Sequence, residues 1–242
     1  MFRLLLIALT LALPALASAA DADHSKFDAL LKAHVKGDKV DYKGFVDNAD
    51  FKAYREMLAA TDPATLPDDK ARLAFWINAY NASTIAGVLE HWPAIKSVAD
   101  PYPDYGFFKR AEYTVGGKKY SLNDIENEII RKRFKEPRIH AALNCASISC
   151  PPLAPYAFTA AKLDGQLQAV FTAFANDPQR NQIDPATGAV KLSQIFNWYG
   201  GDFQPSVQQY LAPFVKDDAK KKALIEAKAV EFLPYDWSLN KG

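Results

Sequence analysis

The longest helical pattern in the sequence is Asp69-Lys-Ala-Arg-Leu-Ala-Phe-Trp-Ile-Asn-Ala-Tyr-Asn-Ala-Ser-Thr-Ile-Ala-Gly-Val-Leu-Glu-His91, and Pro93 follows it as a stop signal. Apolar side chains recur at helical spacing on two of its faces, one starting at Leu73 and the other at Ala74. A helix that is apolar on two sides has to be covered on both. We therefore expect this segment to form a central, mostly buried helix.

Two asparagines, Asn78 and Asn81, share one face of this helix and have apolar neighbours. A buried amide without partners costs roughly 1–3 kcal/mol, so each one needs a specific partner. In one interpretation the amides bind the backbone of a neighbouring loop, since most side-chain hydrogen bonds go to backbone or water. In the other they line a pocket and orient a substrate or an oxyanion.

The other elements are predicted to be mostly helices with a small amount of sheet. Residues 111–120, with Gly116-Gly117 at the turn, and residues 182–192 have the patterns of β-hairpins. Ser121 and Asp124 have the spacing of a capping motif for a helix that reaches about Phe134. The short apolar segment 138–144 is compatible with a buried strand. Further helices are expected at about 24–35, 50–60, 159–175, 193–200, 206–214 and 217–227, followed by an extended piece at 230–233. These elements predict an α+β fold, a mostly helical single domain with a small antiparallel sheet and hairpins.

Residues 1–19 have the features of a secretory signal peptide. Arg3 precedes the apolar run 4–16, and Ala17-Ser-Ala19 has the small residues of a cleavage site. The run is too short to span a bilayer, so we expect no membrane insertion after signal removal. The sequence therefore predicts a periplasmic or secreted protein in which residues 20–242 form one domain.

The charge balance argues against a nucleic-acid partner. Without the predicted signal peptide, which contains Arg3 and no acid, the basic residues fall from 29 to 28 and equal the 28 acidic residues. A neutral chain has no long-range field to attract nucleic acid. We expect the partner to be a small molecule or a peptide, and no residue pattern indicates a cofactor.

Both cysteines of the chain lie in the segment Arg138-Ile-His-Ala-Ala-Leu-Asn-Cys-Ala-Ser-Ile-Ser-Cys-Pro-Pro-Leu153. Three kinds of site are compatible with it. In the first, Cys145 is a nucleophile and His140 its base, which requires a bend after Leu143 to bring the two side chains together. His34 or His91 is an alternative source of the base.

In the second kind of site the cysteines form a disulfide. Exported proteins with an even number of cysteines usually oxidise them, and a Cys145–Cys150 bond would close a short loop. Such a bond would be structural, or strained and easily reduced. In the third kind, His140 joins the two cysteines as a zinc ligand, although the chain has no second Cys/His pair to complete the site.

The other candidate site residues flank these groups. The segment 193–203 carries three aromatic side chains before a glycine turn, and it has a structural and a functional interpretation. It is a buried helix ended by glycine, or its aromatics form a pocket wall. Besides Cys145, His140, Asn78 and Asn81, the residues expected at the pocket are Tyr80, Arg138, Asn144, Ser147, Ser149, Cys150, Trp198, Tyr199 and Asp202. A pair between Arg138 and Asp202 is a further possibility.

Three blocks of the sequence resemble the signature blocks of the domain-of-unknown-function family DUF547. They are Phe75-Trp-Ile-Asn-Ala-Tyr-Asn-Ala82, Arg138–Leu153 and Leu192-Ser-Gln-Ile-Phe-Asn-Trp-Tyr-Gly-Gly-Asp-Phe203. Val40-Asp-Tyr42, Tyr120–Glu126 and Tyr235–Asn240 are similar to its flanking elements, so the resemblance extends over about residues 40–240. It implies a domain identity and no established reaction.

Three functions follow from these patterns. The leading hypothesis is a cysteine-dependent hydrolase or acyl transferase that uses Cys145 as nucleophile, His140 as base, and Asn78 with Asn81 as orienting groups. The alternative is a non-catalytic binding or scaffold domain with a structural Cys145–Cys150 disulfide. A thiol–disulfide redox protein is the third hypothesis, although the usual C-x-x-C spacing is absent.

Overall fold

The central helix, Asp69–Glu90, is buried along most of its length in the computed structural model, which describes residues 20–242. The Asp68 side chain caps its first turn by accepting a hydrogen bond from the Ala71 amide at 2.8 Å. Buried residues continue almost without a break from Ala71 to Val88, which confirms the prediction of a central buried helix. The predicted signal peptide, residues 1–19, lies outside the described residues.

Short helices and strands surround the central helix. The α-helices are α1 Ser25–His34, α2 Ala49–Ala60, α3 Asp69–Glu90, α4 Gly106–Lys109, α5 Lys132–Phe134, α6 Leu163–Ala175, α7 Gln194–Trp198, α8 Val207–Leu211 and α9 Asp218–Glu226. The strands are β1 Val35–Lys36, β2 Lys39–Val40, β3 Tyr113–Val115, β4 Lys118–Tyr120, β5 Gln182–Ile183, β6 Val190–Leu192 and β7 Glu231–Phe232. Single 3-10 turns occupy Tyr42–Phe45, Pro63–Thr65, Pro103–Tyr105, Pro137–Ala141, Ala160–Lys162, Gly200–Asp202 and Ala212–Phe214.

Both predicted hairpins are present. Strands β3 and β4 pair antiparallel, with Tyr113 opposite Tyr120. Gly116 and Gly117 between them have φ of +56° and +75°, as a tight turn of this kind requires. Strand β6 pairs antiparallel with β5 and parallel with β7, so the second hairpin gains a third strand. The mostly helical α+β fold with small antiparallel pairings is thereby confirmed.

The helix predicted after Ser121 has an unusual first part. The Ser121 amide donates to the Asp124 carboxylate at 2.9 Å, and the Asp124 amide donates to the Ser121 hydroxyl at 3.0 Å, as the capping motif predicts. Residues Asp124–Arg131 then form a π-helix that continues into α5. Such wider turns are rare and often occur at functional sites.

The segment 138–144 is not the buried strand that its apolar composition suggested. Residues Pro137–Ala141 form a 3-10 turn in which His140 and its two neighbours are buried. Pro137 provides the fixed φ of a first helical position, and the Glu136 carboxylate accepts a hydrogen bond from the Arg138 amide at 3.1 Å. These start signals outweigh the strand preference of the apolar residues that follow.

Two clusters of buried apolar side chains fill the interior. The larger surrounds the central helix and includes Phe75, Trp76 and Leu143. The smaller contains Phe171 of α6 and Ile195 of α7, together with residues of β5 and β6. In residues 20–242, no helix has the combination of length and apolar composition that crossing a membrane requires.

Acid is expected to destabilise the protein through His24, which is buried beside Tyr54 with its Nδ1 2.8 Å from the Tyr54 hydroxyl. Burial lowers the pKa of His24 from 6.5 to about 4. The unfolded chain therefore takes up this proton first, and the stabilisation is lost as the pH falls from about 6.5 towards 4. Between pH 7 and pH 5 we expect a loss of roughly 2 kcal/mol from this group, measured as the free energy of unfolding in urea.

The matched variant for this prediction is His24→Gln, which keeps a polar side chain beside Tyr54 but does not titrate. Its free energy of unfolding should change less between pH 7 and pH 5 than that of the wild type. An identical pH dependence in the two proteins would show that His24 is not the group responsible.

Candidate functional site

The cysteine loop, residues 144–151, folds around the side chain of Asn144. The Asn144 amide nitrogen donates to the Pro151 carbonyl at 2.8 Å, and its oxygen accepts from the Ala146 amide at 3.0 Å. Ala146 itself has φ of +63°, in the left-handed region that costs a residue with a Cβ about 1–2 kcal/mol. Asn144 thus shapes the loop from within, and it is buried rather than exposed at a pocket surface.

Two residues from other parts of the chain fix this loop. The Asn81 amide nitrogen donates to the Ala142 carbonyl at 2.9 Å, and its oxygen accepts from the Asn144 amide at 2.8 Å. Arg180, which is only 4% exposed, donates to the carbonyls of Cys150 at 2.7 Å and Ile148 at 2.8 Å. Both ends of the loop are therefore tied to buried polar side chains.

The C-terminal segment forms the third support of the loop. The Ile148 amide donates to the Ser238 carbonyl at 2.8 Å, and the Asn240 amide donates to the Ala146 carbonyl at 3.0 Å. The Asp236 amide donates to the Ser149 hydroxyl at 2.8 Å. This pairing holds the last residues of the chain against the loop and brings Tyr235 and Trp237 to its outer side.

A cavity of about 330 Å³ lies beside the cysteine loop and is lined by residues of both apolar clusters. Its aromatic wall comprises Tyr80, Tyr105, Phe108, Trp198, Tyr199, Tyr235 and Trp237. Its polar groups are Lys109, Asn123, Glu126, Asn127, His140, Cys145 and Cys150, and Leu143 and Ile195 complete it. An apolar hollow of this size with a few polar groups has the character of a small-molecule site.

The Cys145 thiol is partly exposed and points to two hydroxyl groups. Its sulfur lies 3.0 Å from the Ser147 hydroxyl and 3.3 Å from the Tyr235 hydroxyl. Burial raises the pKa of this thiol, but hydrogen bonds from Cys150, Ser147 and Tyr235 outweigh burial and lower the pKa from 9.0 to about 7. The Cys145 thiol is therefore more acidic than an ordinary cysteine thiol.

Cys150 lies beside Cys145 but is buried, with 3% of its surface exposed. The Cys145 amide donates to its sulfur at 3.0 Å. Burial and the neighbouring Cys145 raise the pKa of the Cys150 thiol well above its usual range. Both cysteines are free thiols in the structure, so the predicted disulfide is absent from it and stays a prediction.

His140 is paired with Asp202 rather than with Cys145. Its Nε2 lies 2.8 Å from the Asp202 carboxylate, and its Nδ1 lies 4.0 Å from Glu126. The hydrogen bond from His140 and the ion pair with Arg131 hold the pKa of the Asp202 carboxyl well below its usual range. Because Asp202 is therefore ionised, Nε2 carries the proton and donates it. The ring also stacks on Tyr199, with 4.2 Å between the centroids.

The predicted role of the asparagines as groups that orient a substrate needs correction. The Asn78 amide donates to the Phe158 carbonyl at 2.7 Å, and its oxygen accepts from the Phe158 amide at 2.9 Å. Asn81 makes the equivalent pair of bonds with residues 142 and 144. Neither residue lines the cavity. The amide nitrogen and oxygen of each residue both bind backbone groups, as the alternative interpretation proposed, and Asn81 positions the cysteine loop.

The remaining predicted site residues divide into three groups. Tyr80, Trp198 and Tyr199 line the cavity, whereas Ser147 contacts Cys145 and Asp202 contacts His140. Arg138, Asn144 and Ser149 lie outside the cavity lining. The suggested pair between Arg138 and Asp202 is not formed, because Arg138 binds Glu136 at 2.7 Å and Asp164 at 2.8 Å.

Sequence analysis missed several residues that shape the site. Glu126 and Asn127 reach the cavity from the π-helix, whose wider turns are not visible in the hydrophobic pattern. Tyr235 and Trp237 belong to the segment Tyr235–Asn240, for which the sequence indicates only a similarity to a flanking element of the DUF547 family. Asp177 and Arg180 have the i, i+3 spacing of an ion pair, which predicts their contact but not the carbonyls that the guanidinium binds.

Metal coordination was the third interpretation of the cysteine segment. Across residues 20–242, no three side chains of His, Cys, Asp or Glu are grouped so that they would hold a metal ion. The zinc interpretation therefore receives no support from the arrangement of these residues.

Comparison with known proteins gives one match. The model of the family described as "Protein of unknown function, DUF547" matches residues 63–175. This range contains the blocks 75–82 and 138–153 that carry the resemblance, with the central helix and the cysteine loop, while the block 192–203 lies beyond it. No curated protein and no solved structure matches the chain.

Proposed function

The chain belongs to the DUF547 family through residues 63–175, and on the geometry of its cysteine loop we propose that it is a cysteine-dependent acyl transferase or hydrolase. The observation that carries the proposal is a shared cavity. It contains a thiol whose pKa is lowered to about 7 and a histidine that is oriented by an ionised carboxylate. A nucleophile, a proton carrier and an orienting acid are the groups that acyl transfer requires.

In the first step the Cys145 thiolate attacks the carbonyl carbon of the substrate. A C–S bond forms, the carbonyl electrons move to oxygen, and collapse of this intermediate expels the leaving group, which takes any proton it needs from solvent. In the second step His140 takes a proton from water, or from an acceptor alcohol or amine. The resulting nucleophile cleaves the thioester and releases the Cys145 thiolate, and His140 returns its proton to solvent.

This sequence of steps does not need a hydrogen bond between His140 and Cys145. Because hydrogen bonds lower the pKa of the thiol to about 7, the thiol can ionise without a neighbouring base. His140 is needed instead in the second step, as the base for the attacking water. The Asp202 carboxylate fixes the tautomer of the ring, since it accepts the Nε2 proton and leaves Nδ1 as the basic nitrogen.

Two hydroxyl groups are suited to stabilise the oxyanion. Tyr235 and Ser147 lie 3.3 Å and 3.0 Å from the Cys145 sulfur, so a carbonyl attacked by that sulfur lies within reach of their protons. Burial raises the pKa of the Tyr235 hydroxyl well above its usual range, which keeps it protonated and able to donate.

The walls of the cavity favour a small acyl compound with a flat apolar part. Seven aromatic side chains line the hollow, and their faces pack best against rings and other flat groups. The side-chain amides of Asn123 and Asn127 offer hydrogen bonds to polar atoms of the substrate. Lys109 and Glu126 oppose each other in charge beside the Cys145 thiol.

The proposal is tested with iodoacetamide and with a small activated ester, p-nitrophenyl acetate. We expect iodoacetamide to alkylate Cys145 with half-maximal rate near pH 7, and the ester to acetylate the same residue, both located by peptide mass spectrometry. Cys145→Ser should abolish both modifications at this position, whereas Cys150 should stay unmodified in the folded protein. Equal and slow alkylation of the two cysteines would contradict the proposal and favour a non-catalytic binding domain.

A further inference from the structure

The two thiols of the cysteine loop form an asymmetric pair. Cys145 is partly exposed at the cavity, whereas Cys150 is 3% exposed, although both side chains line the same hollow. The Cys145 amide donates to the Cys150 sulfur at 3.0 Å, and the Cys150 thiol in turn stabilises the Cys145 thiolate. One sulfur is therefore accessible and more easily ionised, and the other is buried beside it.

Acyl transfer uses Cys145 and gives the Cys150 sulfur no chemical role. A buried thiol next to a reactive one is the arrangement of a resolving cysteine, which attacks a bond that the first cysteine has formed. The hydrogen bonds that hold the cysteine loop in place also keep the two cysteines next to each other. Arg180 holds the carbonyl of Cys150, and Asn144 closes the turn between the two cysteines, so the sulfurs stay adjacent.

We propose that Cys145 and Cys150 together reduce small disulfides that enter the aromatic cavity. This activity shares Cys145 with the proposed acyl transfer but does not depend on it, because it needs Cys150 and not His140. The cavity of about 330 Å³ and its aromatic walls favour a low-molecular-weight, flat disulfide rather than a protein chain.

The proposed reaction consists of two thiol–disulfide exchange steps. The Cys145 thiolate attacks one sulfur of the substrate disulfide, which forms a mixed disulfide and releases the first thiolate. Cys150 then loses its proton to solvent and attacks the Cys145 sulfur, which releases the second thiolate and leaves a Cys145–Cys150 disulfide. The substrate gains two electrons and the protein loses two. A small thiol reductant returns the protein to the dithiol by the same exchanges in reverse.

The backbone of the loop assists the second exchange. As Cys150 ionises, the hydrogen bond from the Cys145 amide stabilises the negative charge that develops on its sulfur. Burial and the neighbouring Cys145 raise the pKa of the Cys150 thiol, and the contribution of the Cys145 charge is removed once that sulfur is part of the mixed disulfide. The order of the two attacks is thus set by the pair itself.

Dithiobis(nitrobenzoate), an aromatic disulfide, tests this inference in a single turnover. We expect the reduced wild-type protein to release two equivalents of the coloured thiolate. The second release should have a rate independent of reagent concentration, and the product mass should show an internal disulfide without adduct. Cys150→Ser should release one equivalent and retain the mixed disulfide on Cys145. Cys150→Ala serves as a second variant if the serine protein does not fold, as judged by circular dichroism.

Two results would overturn the inference. One is a wild-type protein that stops at one equivalent with a stable adduct on Cys145. The other is a second release whose rate rises with reagent concentration and which leaves an adduct on each cysteine. This result would mean that the two thiols react separately with the reagent. Release of two equivalents without any acetylation by p-nitrophenyl acetate would support the disulfide reaction and reject the acyl transfer, so the two proposals fail independently.

Discussion

Replacing Arg180 with methionine is expected to lower the free energy of unfolding by about 3–5 kcal/mol, because it breaks a buried ion pair and leaves its partners uncompensated. The Arg180 guanidinium is bound to Asp177 and lies 3.2 Å from Asp38. It also donates to the carbonyls of Ile148 and Cys150. Methionine keeps most of the apolar stem but donates to none of these four acceptors.

The measurement is urea denaturation at pH 7, with iodoacetamide labelling of Cys150 in the native protein as a second readout. Labelling of this buried thiol should become faster, since the carbonyl beside it loses its anchor. The matched control is Arg138→Met. Arg138 is also held by two carboxylates, but its partner Asp164 is 74% exposed, so we expect a loss of about 1 kcal/mol or less. Equal losses in the two variants would show that Arg180 does not anchor the cysteine loop.

His140→Asn is expected to slow turnover of p-nitrophenyl acetate about 10²–10⁴-fold, which is the usual contribution of a general acid–base group. The variant keeps a polar side chain next to Asp202 but has no basic nitrogen for the attacking water. Since hydrogen bonds lower the pKa of the Cys145 thiol without help from His140, hydrolysis of the acetyl thioester should suffer most. The acetylated protein should therefore accumulate.

Stopped-flow absorbance and intact-protein mass spectrometry check this prediction. The wild type should show a burst of nitrophenolate followed by steady turnover, and the variant should show a steady rate near zero with the acetyl group retained. The matched control is His34→Asn. His34 also lies beside a carboxylate, with its Nδ1 3.0 Å from Asp41, but it is outside the cavity. An equal loss in both variants, or no loss at His140, would remove His140 from the mechanism.

Much of the fold follows from local patterns. The central helix, the capping motif at Ser121 and the hairpin turn at Gly116-Gly117 were all predicted correctly, because helical spacing, caps and positive φ act over a few residues. A local pattern also led to the wrong prediction of a strand at residues 138–144. Its apolar residues suggested a strand, while the turn that actually forms is started by Pro137 and the Glu136 side chain.

The resemblance to the DUF547 family and the reactive residue types of the cysteine loop also follow from the sequence. The sequence did not show which side chains the candidate site residues contact. His140 meets Asp202 across 62 positions, and Cys145 meets Tyr235 across 90. The buried asparagines illustrate the difference, since their burial was predicted but their use on backbone groups rather than on a cavity was not decided.

The sequence by itself determined the elements of this protein and the residues capable of chemistry, because periodicity, turn residues and side-chain reactivity belong to short stretches of chain. Only the tertiary structure decided which of those residues meet. It placed Arg180 under the cysteine loop, the C-terminal aromatics over it, and His140 on Asp202 instead of Cys145. Contacts between distant segments depend on how whole elements pack and on which buried polar groups satisfy one another, and no local pattern records that.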